Sequence, residues 1–280
     1  MNISFKKILI FAGILAALNV VFWISVIFRP ISAEAETYFL NVGQGDSELV
    51  RLGQANFLID YGKDSSVVNN LDKIIPNYRK RIDIAFVSHG QTDHAGGMFY
   101  LLENYDVGYV IYNGDNTSLW QNLKKLIEKK HIPYLILKAG DGVVYGVNKF
   151  DILWPNTMAK ETGSNDNSMV IKYSGKDYSS LFTADVSSKV ESQIIADGVG
   201  ADIIKVSHHG SKFSSSQRFI NAVNPKIAVI EVGKNSYGHP TSEVLGRLKL
   251  SGSKIFRTDL DGIIKIAFSK GLLDIFHIKN

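Results

Sequence analysis

Beyond residue 36 the chain alternates two spacings of apolar residues, and the spacing separates predicted strands from predicted helices. Leu119, Leu123, Leu126 and Ile127 fall on one face of a 3.6-residue turn, so 118–130 is predicted helical. Residues 82–88 form an apolar run ahead of a histidine, the pattern of a strand covered on both faces. Short β-type runs are also predicted at 38–42, 47–52, 56–60, 107–112, 134–137, 143–145 and 149–153, with helices at 66–75 and 96–104. The second half repeats this grammar. Strands are predicted at 169–173, 180–183, 202–207, 227–232, 254–257, 262–268 and 272–277, and helices at 187–197, 215–223 and 243–250. No short repeat or composition break divides the stretch. One layered α/β domain is expected over 37–280, with helices covering sheets.

The first 36 residues follow a different pattern. Lys6 and Lys7 precede an apolar run over 8–28, interrupted weakly by Gly13, Asn19 and Ser25 and closed by Arg29-Pro30. At about 1.5 Å per residue this run matches the roughly 30 Å hydrocarbon core of a bilayer. It is longer than the about 7–15 apolar residues of a cleaved signal. A signal anchor and linker are therefore expected over 1–36, giving a single-pass protein of the cell membrane. Two lysines before the run and one arginine after it place the domain outside the cytoplasm. Ala33-Glu34-Ala35 resembles a cleavage site, which leaves secretion after cleavage as the alternative.

Composition narrows the picture. Hydrophobic residues make up 45% and charged residues 21%, which suits a sizeable folded core. The net charge of +4 is partly that of Lys6, Lys7, Arg29 and Glu34, so the rest is nearly neutral. Charge alone therefore does not demand a nucleic-acid partner. There is no cysteine, which removes disulfides, thiolate zinc sites and cysteine nucleophiles.

The densest chemistry follows the 82–88 run. His89, Gln91, Asp93 and His94 fall within six positions, and Gly96-Gly97 then let the chain turn into a helix. Imidazole and carboxylate donors suit zinc or manganese, and crowding them at a strand end is costly without a positive charge among them. A helix start capped by Asp93, with surface histidines, is the plainer reading. His131, at a helix end, and His277, near the C-terminus, read as surface histidines. Lys205, Lys212 and Lys234 flank these motifs and are either solvated or set to meet an anionic substrate.

The segment resembles the HxHxDH signature of the metallo-β-lactamase superfamily. More narrowly, the chain is similar to the hydrolase domain of ComEC-type DNA-uptake proteins. Phe39-Leu-Asn-Val-Gly-Gln-Gly-Asp-Ser47 resembles that group's opening FLDVGQGDS, with Asn41 in place of Asp. Asn167-Ser168-Met-Val-Ile, Leu181-Phe-Thr-Ala-Asp185, Ile204-Lys-Val-Ser-His-His209-Gly-Ser211, Gly233-Lys-Asn-Ser-Tyr-Gly-His239-Pro240 and Arg257-Thr-Asp-Leu-Asp-Gly262 follow in order. The resemblance covers roughly 37–268.

This resemblance implies an αββα sandwich of two mixed sheets with helices on both outer faces. It implies metal ligation by His89, Asp93, His94, Asp185 and His209, and catalytic roles for Asp93 and His208. Asp60, Gln91, Asn167 and His239 are expected to orient ligands or touch substrate; for Asp60 and His239 a plain turn residue is the alternative, and for His208 a structural histidine. Gln91 stands where the signature has its second histidine, and glutamine is a poor zinc ligand. One tightly held zinc or manganese ion is therefore expected, with a second weak or absent. Such an ion lowers the pKa of its water from 15.7 towards about 7. The expected activity is hydrolysis of a phosphodiester outside the membrane, with single-stranded DNA as the partner the resemblance suggests. A phosphodiesterase acting on an envelope component such as phosphorylcholine and a degenerate, non-catalytic binding module are the alternatives.

Overall fold

The structure is a computed structural model that describes residues 11, 13–19, 35–157, 164–269 and 271–278. The chain divides into two compact units, Met1–Glu34 and Ala35–Asn280. The expected anchor over 8–28 lies mostly outside the described residues. Residues 11 and 13–19 are helical, and among the described residues no helix is long and apolar enough to cross a membrane. The folded unit begins two residues before the expected boundary, because Ala35 and Glu36 already pair with Leu52 and Arg51.

The larger unit holds two sheets face to face. The chain first lays down β1 (Ala35–Phe39), β2 (Glu48–Leu52), β3 (Ala55–Ile59), β4 (Arg81–Val87), β5 (Asp106–Tyr112) and β6 (Tyr134–Ile136). It then builds a second sheet from β7 (Gly142–Tyr145), β8 (Asn148–Trp154), β9 (Val170–Ser174), β10 (Ser179–Phe182), β11 (Ile203–Lys205), β12 (Ile227–Ile230) and β13 (Lys254–Arg257). Finally β14 (Ile263–Ser269) and β15 (Leu272–Ile278) return to the first sheet beside β1. The orders are β15-β14-β1-β2-β3-β4-β5-β6 and β13-β12-β11-β10-β9-β8-β7. Both sheets are mixed. Pairing is parallel from β3 to β6 and from β10 to β13, and antiparallel elsewhere.

Side-chain alternation assigns each strand two jobs. Phe39, Val50, Phe57, Phe86, Phe150 and Tyr173 point between the sheets. Phe150 stacks on Phe57 at 4.8 Å and meets Tyr173 at 5.2 Å. The opposite face of the first sheet, including Leu58, Ala85 and Val110, is covered by the helices Ser66–Leu71, Met98–Asn104 and Ser118–Lys129. The outer face of the second, including Leu181, Ile204 and Ala228, is covered by Ser188–Ile194, Gln217–Val223 and Ser242–Leu250. The result is the expected four-layer αββα sandwich.

Parallel strands on both sheets deliver their carboxyl ends to the same rim. Ile59, Val87, Phe182, Lys205 and Ile230 end strands there. The loops that follow carry Asp60, His89, Asp185, His209 and Glu231. Loops at the carboxyl ends of such strands are where α/β sheets place ligands.

Candidate metal centre

Each side chain at the rim is positioned by the strand that ends beneath it. Past β4, Ser88 and His89 are buried, and the turn Thr92–Ala95 then carries Asp93 and His94. Past β10 comes Asp185, and past β11 the strand stops at Lys205. His208 and His209 take left-handed backbone, φ 50° and 53°, so the strand alternation that would oppose adjacent side chains no longer applies. Asp60 and Ala184 are left-handed too. Such conformations cost about 1–3 kcal/mol each and persist where the surroundings over-determine them.

Asp93, His94, Asp185 and His209 each bring a ligand atom within 4.8 Å of the others. The tautomers follow from the partners. His209 Nδ1 lies 2.9 Å from the Glu231 carbonyl oxygen, which only accepts, so Nδ1 carries the proton. His94 Nδ1 donates to Asp60 Oδ2 at 2.7 Å. The Ser88 hydroxyl also donates to Asp60, at 2.5 Å, so the 3.0 Å contact from His89 Nδ1 to Ser88 Oγ is a donation by the imidazole. All three rings therefore turn Nε2 inward. Those three nitrogens and Asp185 Oδ1 are buried without a hydrogen-bond partner. Orphaned acceptor lone pairs of this kind are expensive unless a cation takes them up.

Electrostatics agree. Burial opposes the charge on His94, yet Asp185, Asp46 and Asp60 outweigh it and lift its pKa well above the imidazole range. The second proton would sit on Nε2, where a cation would go. Burial likewise works against the Asp185 carboxylate, and His94 and His209 hold it well below its ordinary value. His89 differs: burial and the charge of His94 push it down to about 3, so it is a neutral donor. The donor set of imidazole nitrogen and carboxylate oxygen fits zinc or manganese.

His89 stands outside the four-ligand group. It is grouped instead with Asp60 and His94, its ring 4.3 Å from that of His94. Asp60 is engaged by Ser88 N, Ser88 Oγ and His94 Nδ1, so it fixes the His94 ring and is not a turn residue only. Gln91 donates its amide to Asn165, which also faces His208 Nε2 at 3.3 Å. Asn165 lies in the same short turn as the expected Asn167, whose backbone carbonyl accepts from Asn113. His208 is 31% exposed, and its Nε2 is 3.7 Å from Asp185. Its ring meets that of His239 at 5.7 Å, so these two form the lip of the centre. Burial lowers both pKa values, keeping both rings neutral near neutral pH.

Under the ligands lies a layer that motif reading passed over. Lys205 is fully buried and does not reach solvent or substrate, contrary to one sequence expectation. Its ammonium pairs with Asp46 and donates to the Ala184 carbonyl at 2.9 Å. Asp46 Oδ1 lies 3.3 Å from His209 Nδ1, and Asp46 Oδ2 lies 3.6 Å from His94 Nδ1. Beside them Glu48 and Glu231 are buried, their carboxyl oxygens within 4.8 Å of each other and of Asp46. Burying a lone charge costs several kcal/mol, so this layer holds only because its charges offset each other. Gly45 lets it form: a Cβ there would sit 2.3 Å from the Asp93 carbonyl oxygen. The signal was Asp46 and Lys205 inside quoted motifs, but burial was not legible from either.

The fold and this site define a metal-dependent hydrolase of the metallo-β-lactamase type. The pattern of the metallo-beta-lactamase superfamily matches residues 40–233, and the chain belongs to that superfamily. It is 26% identical over 95% of its length to ComE operon protein 3 of Bacillus subtilis, and 30% identical over 88% to competence protein ComA of Neisseria gonorrhoeae. It spans 37% and 34% of those two proteins, about a third of each. In fold it matches YhfI of Bacillus subtilis with a TM-score of 0.61 at 13% identity, over 83% of this chain and 99% of that one.

Two outcomes follow. Asp60→Asn weakens the acceptor that fixes His94, so metal affinity measured by chelator competition is expected to fall about 10–100-fold. Glu48, pushed up to about 8 by burial and by Asp46, binds its proton more tightly folded than unfolded. Stability from this group is present below about pH 4.5 and is lost as pH rises to about 8. Urea titrations at pH 5 and 8 should show that loss, and Glu48→Gln should reduce it.

Proposed function

We propose that this chain is a phosphodiester hydrolase that holds one divalent ion on Asp93, His94, Asp185 and His209. The observation that carries this reading is that His94 Nε2, His209 Nε2 and Asp185 Oδ1 are buried without a hydrogen-bond partner within a group of four side chains that one ion could share. An ion bound there supplies Lewis acidity toward a phosphoryl oxygen and a water acidic enough to ionise near neutral pH.

The chain's own groups supply the rest. Asp93 is the ligand with solvent access, 32% exposed, so it reaches the approaching nucleophile and accepts its proton. Burial acts against its charge, but His209 and His94 hold its pKa below the ordinary carboxylate range, so it is ionised at neutral pH. Neutral His208 and His239 at the lip bind phosphoryl oxygens or hand a proton to the leaving group. A Gln91 amide spent on Asn165 leaves His89 with few partners for a second ion, in keeping with one well-held metal.

Among phosphodiesters, the names of the competence relatives favour a nucleic-acid strand, and we place the domain outside the membrane on the 8–28 run. The near-neutral charge of the domain favours a smaller envelope phosphodiester as the second reading.

Purified chain loaded with manganese or zinc is expected to cleave bis-p-nitrophenyl phosphate and single-stranded DNA. Asp93→Ala should lower both rates at least about 100-fold without unfolding the chain. Cleavage of the small ester alone selects the second reading. A wild-type chain that retains its metal but turns over neither ester contradicts hydrolysis and leaves a binding module.

A further inference from the structure

The end of the sandwich remote from the metal centre has its own composition. Strand register defines that end. Ala35 begins β1 opposite Leu52, the last residue of β2, and the parallel partners β4 and β5 begin there at Arg81 and Asp106. In the second sheet the turn between β7 and β8 lies at the same end, because Tyr145 pairs with Asn148 while β8 runs toward the rim. An open hollow of about 660 Å³ is set there, lined by Tyr78, Arg79, Tyr109, Val144 and Tyr145 among others.

Its apolar side chains face solvent. Tyr78 is 82% exposed, Val144 68% and Val147 78%. Tyr145 is anchored edge-on to Phe57 at 5.6 Å, so the hairpin tip is held out by the core beneath it. Arg79 lies over the Tyr78 ring at 6.0 Å, and among the described residues neither it nor exposed Lys176 has a carboxylate partner. Asp83 at this end is taken by Arg81, Asp202 by Lys226 and Glu36 by Arg51 and Lys265, and Glu103, Asp106, Asp177 and Asp274 are the other acids there. Aliphatic tips, tyrosines and cations on one surface match the order of groups across a membrane interface.

Chain length fixes the occupant. Residues 29–34 separate Ala35 from the apolar 8–28 run, and six residues reach at most about 20 Å. With that run in a bilayer, the end where Ala35 emerges cannot lie farther than that from the lipid. We propose that this end, through Val144, Val147, Tyr78 and Arg79, rests on the phospholipid surface and turns the metal centre away from it. The proposal rests on reading 8–28 as an anchor.

The absence of cysteine permits single labelling sites. Full-length Val147→Cys, Val144→Cys and Lys234→Cys chains would each carry an environment-sensitive fluorophore. They would be reconstituted into phosphatidylcholine vesicles containing phosphatidylglycerol, with and without brominated acyl chains. Flotation reports anchoring, and bromine quenching reports contact. Labels at 144 and 147 are expected to be quenched several-fold more than the label at 234, beside the centre. A chain that floats with all three labels equally unquenched overturns the proposal and leaves the anchor intact. A chain that does not float overturns both. Response of the 147 label to a single-stranded oligonucleotide, with no response to lipid, overturns it in favour of a nucleic-acid surface.

Discussion

Everything at the rim answers to one constraint: carboxylates crowded at strand ends must be matched by positive charge. Asp46, Asp60 and Asp185 are all but removed from water, and Asp93 joins them at the edge. Lys205 supplies one cation from below. The inward Nε2 atoms and the lifted pKa of His94 mark where another belongs. The same groups tie the sheets together, since Asp46 precedes β2 in the first sheet and Lys205 closes β11 in the second. Site chemistry and sheet packing are thus two consequences of one arrangement of charge.

Much of this was legible in the sequence, for physical reasons. The 82–88 run had to be a buried strand, and a strand of that kind ends where a ligand loop begins. His94, Asp93, Asp185 and His209 sat in separated motifs, and the fold brings them within common reach of one point. The β1 strand was placed three residues late, because Leu40 and Val42 continue the apolar pattern while the backbone has already left the sheet. Within the short polar stretch 165–168 no periodicity fixes which amide faces inward, so Asn165 could not be singled out from Asn167. Lys205 was misread because burial of a lysine depends on a partner 159 residues away. Local pattern reports which face of a strand is covered, but not which distant charge meets it there.

The two ends of the sandwich divide the labour. Parallel strands send ligand loops to one rim, and the same polarity sends the chain entry, the 53–54 hairpin and the exposed 145–147 tip to the other. An enzyme tethered at its entry would then present its metal centre to the medium. Gln91 donates to Asn165, and among the described residues Asp93, His94, Asp185 and His209 are the one group of four, beside two groups of three.

Metal content after exhaustive dialysis, compared between His209→Ala and His89→Ala chains, tests the central claim most directly. The wild-type chain should retain one divalent ion, the His89 variant should keep it, and the His209 variant should lose it while remaining folded. Loss of the ion from the His89 variant with retention by the His209 variant would contradict the account.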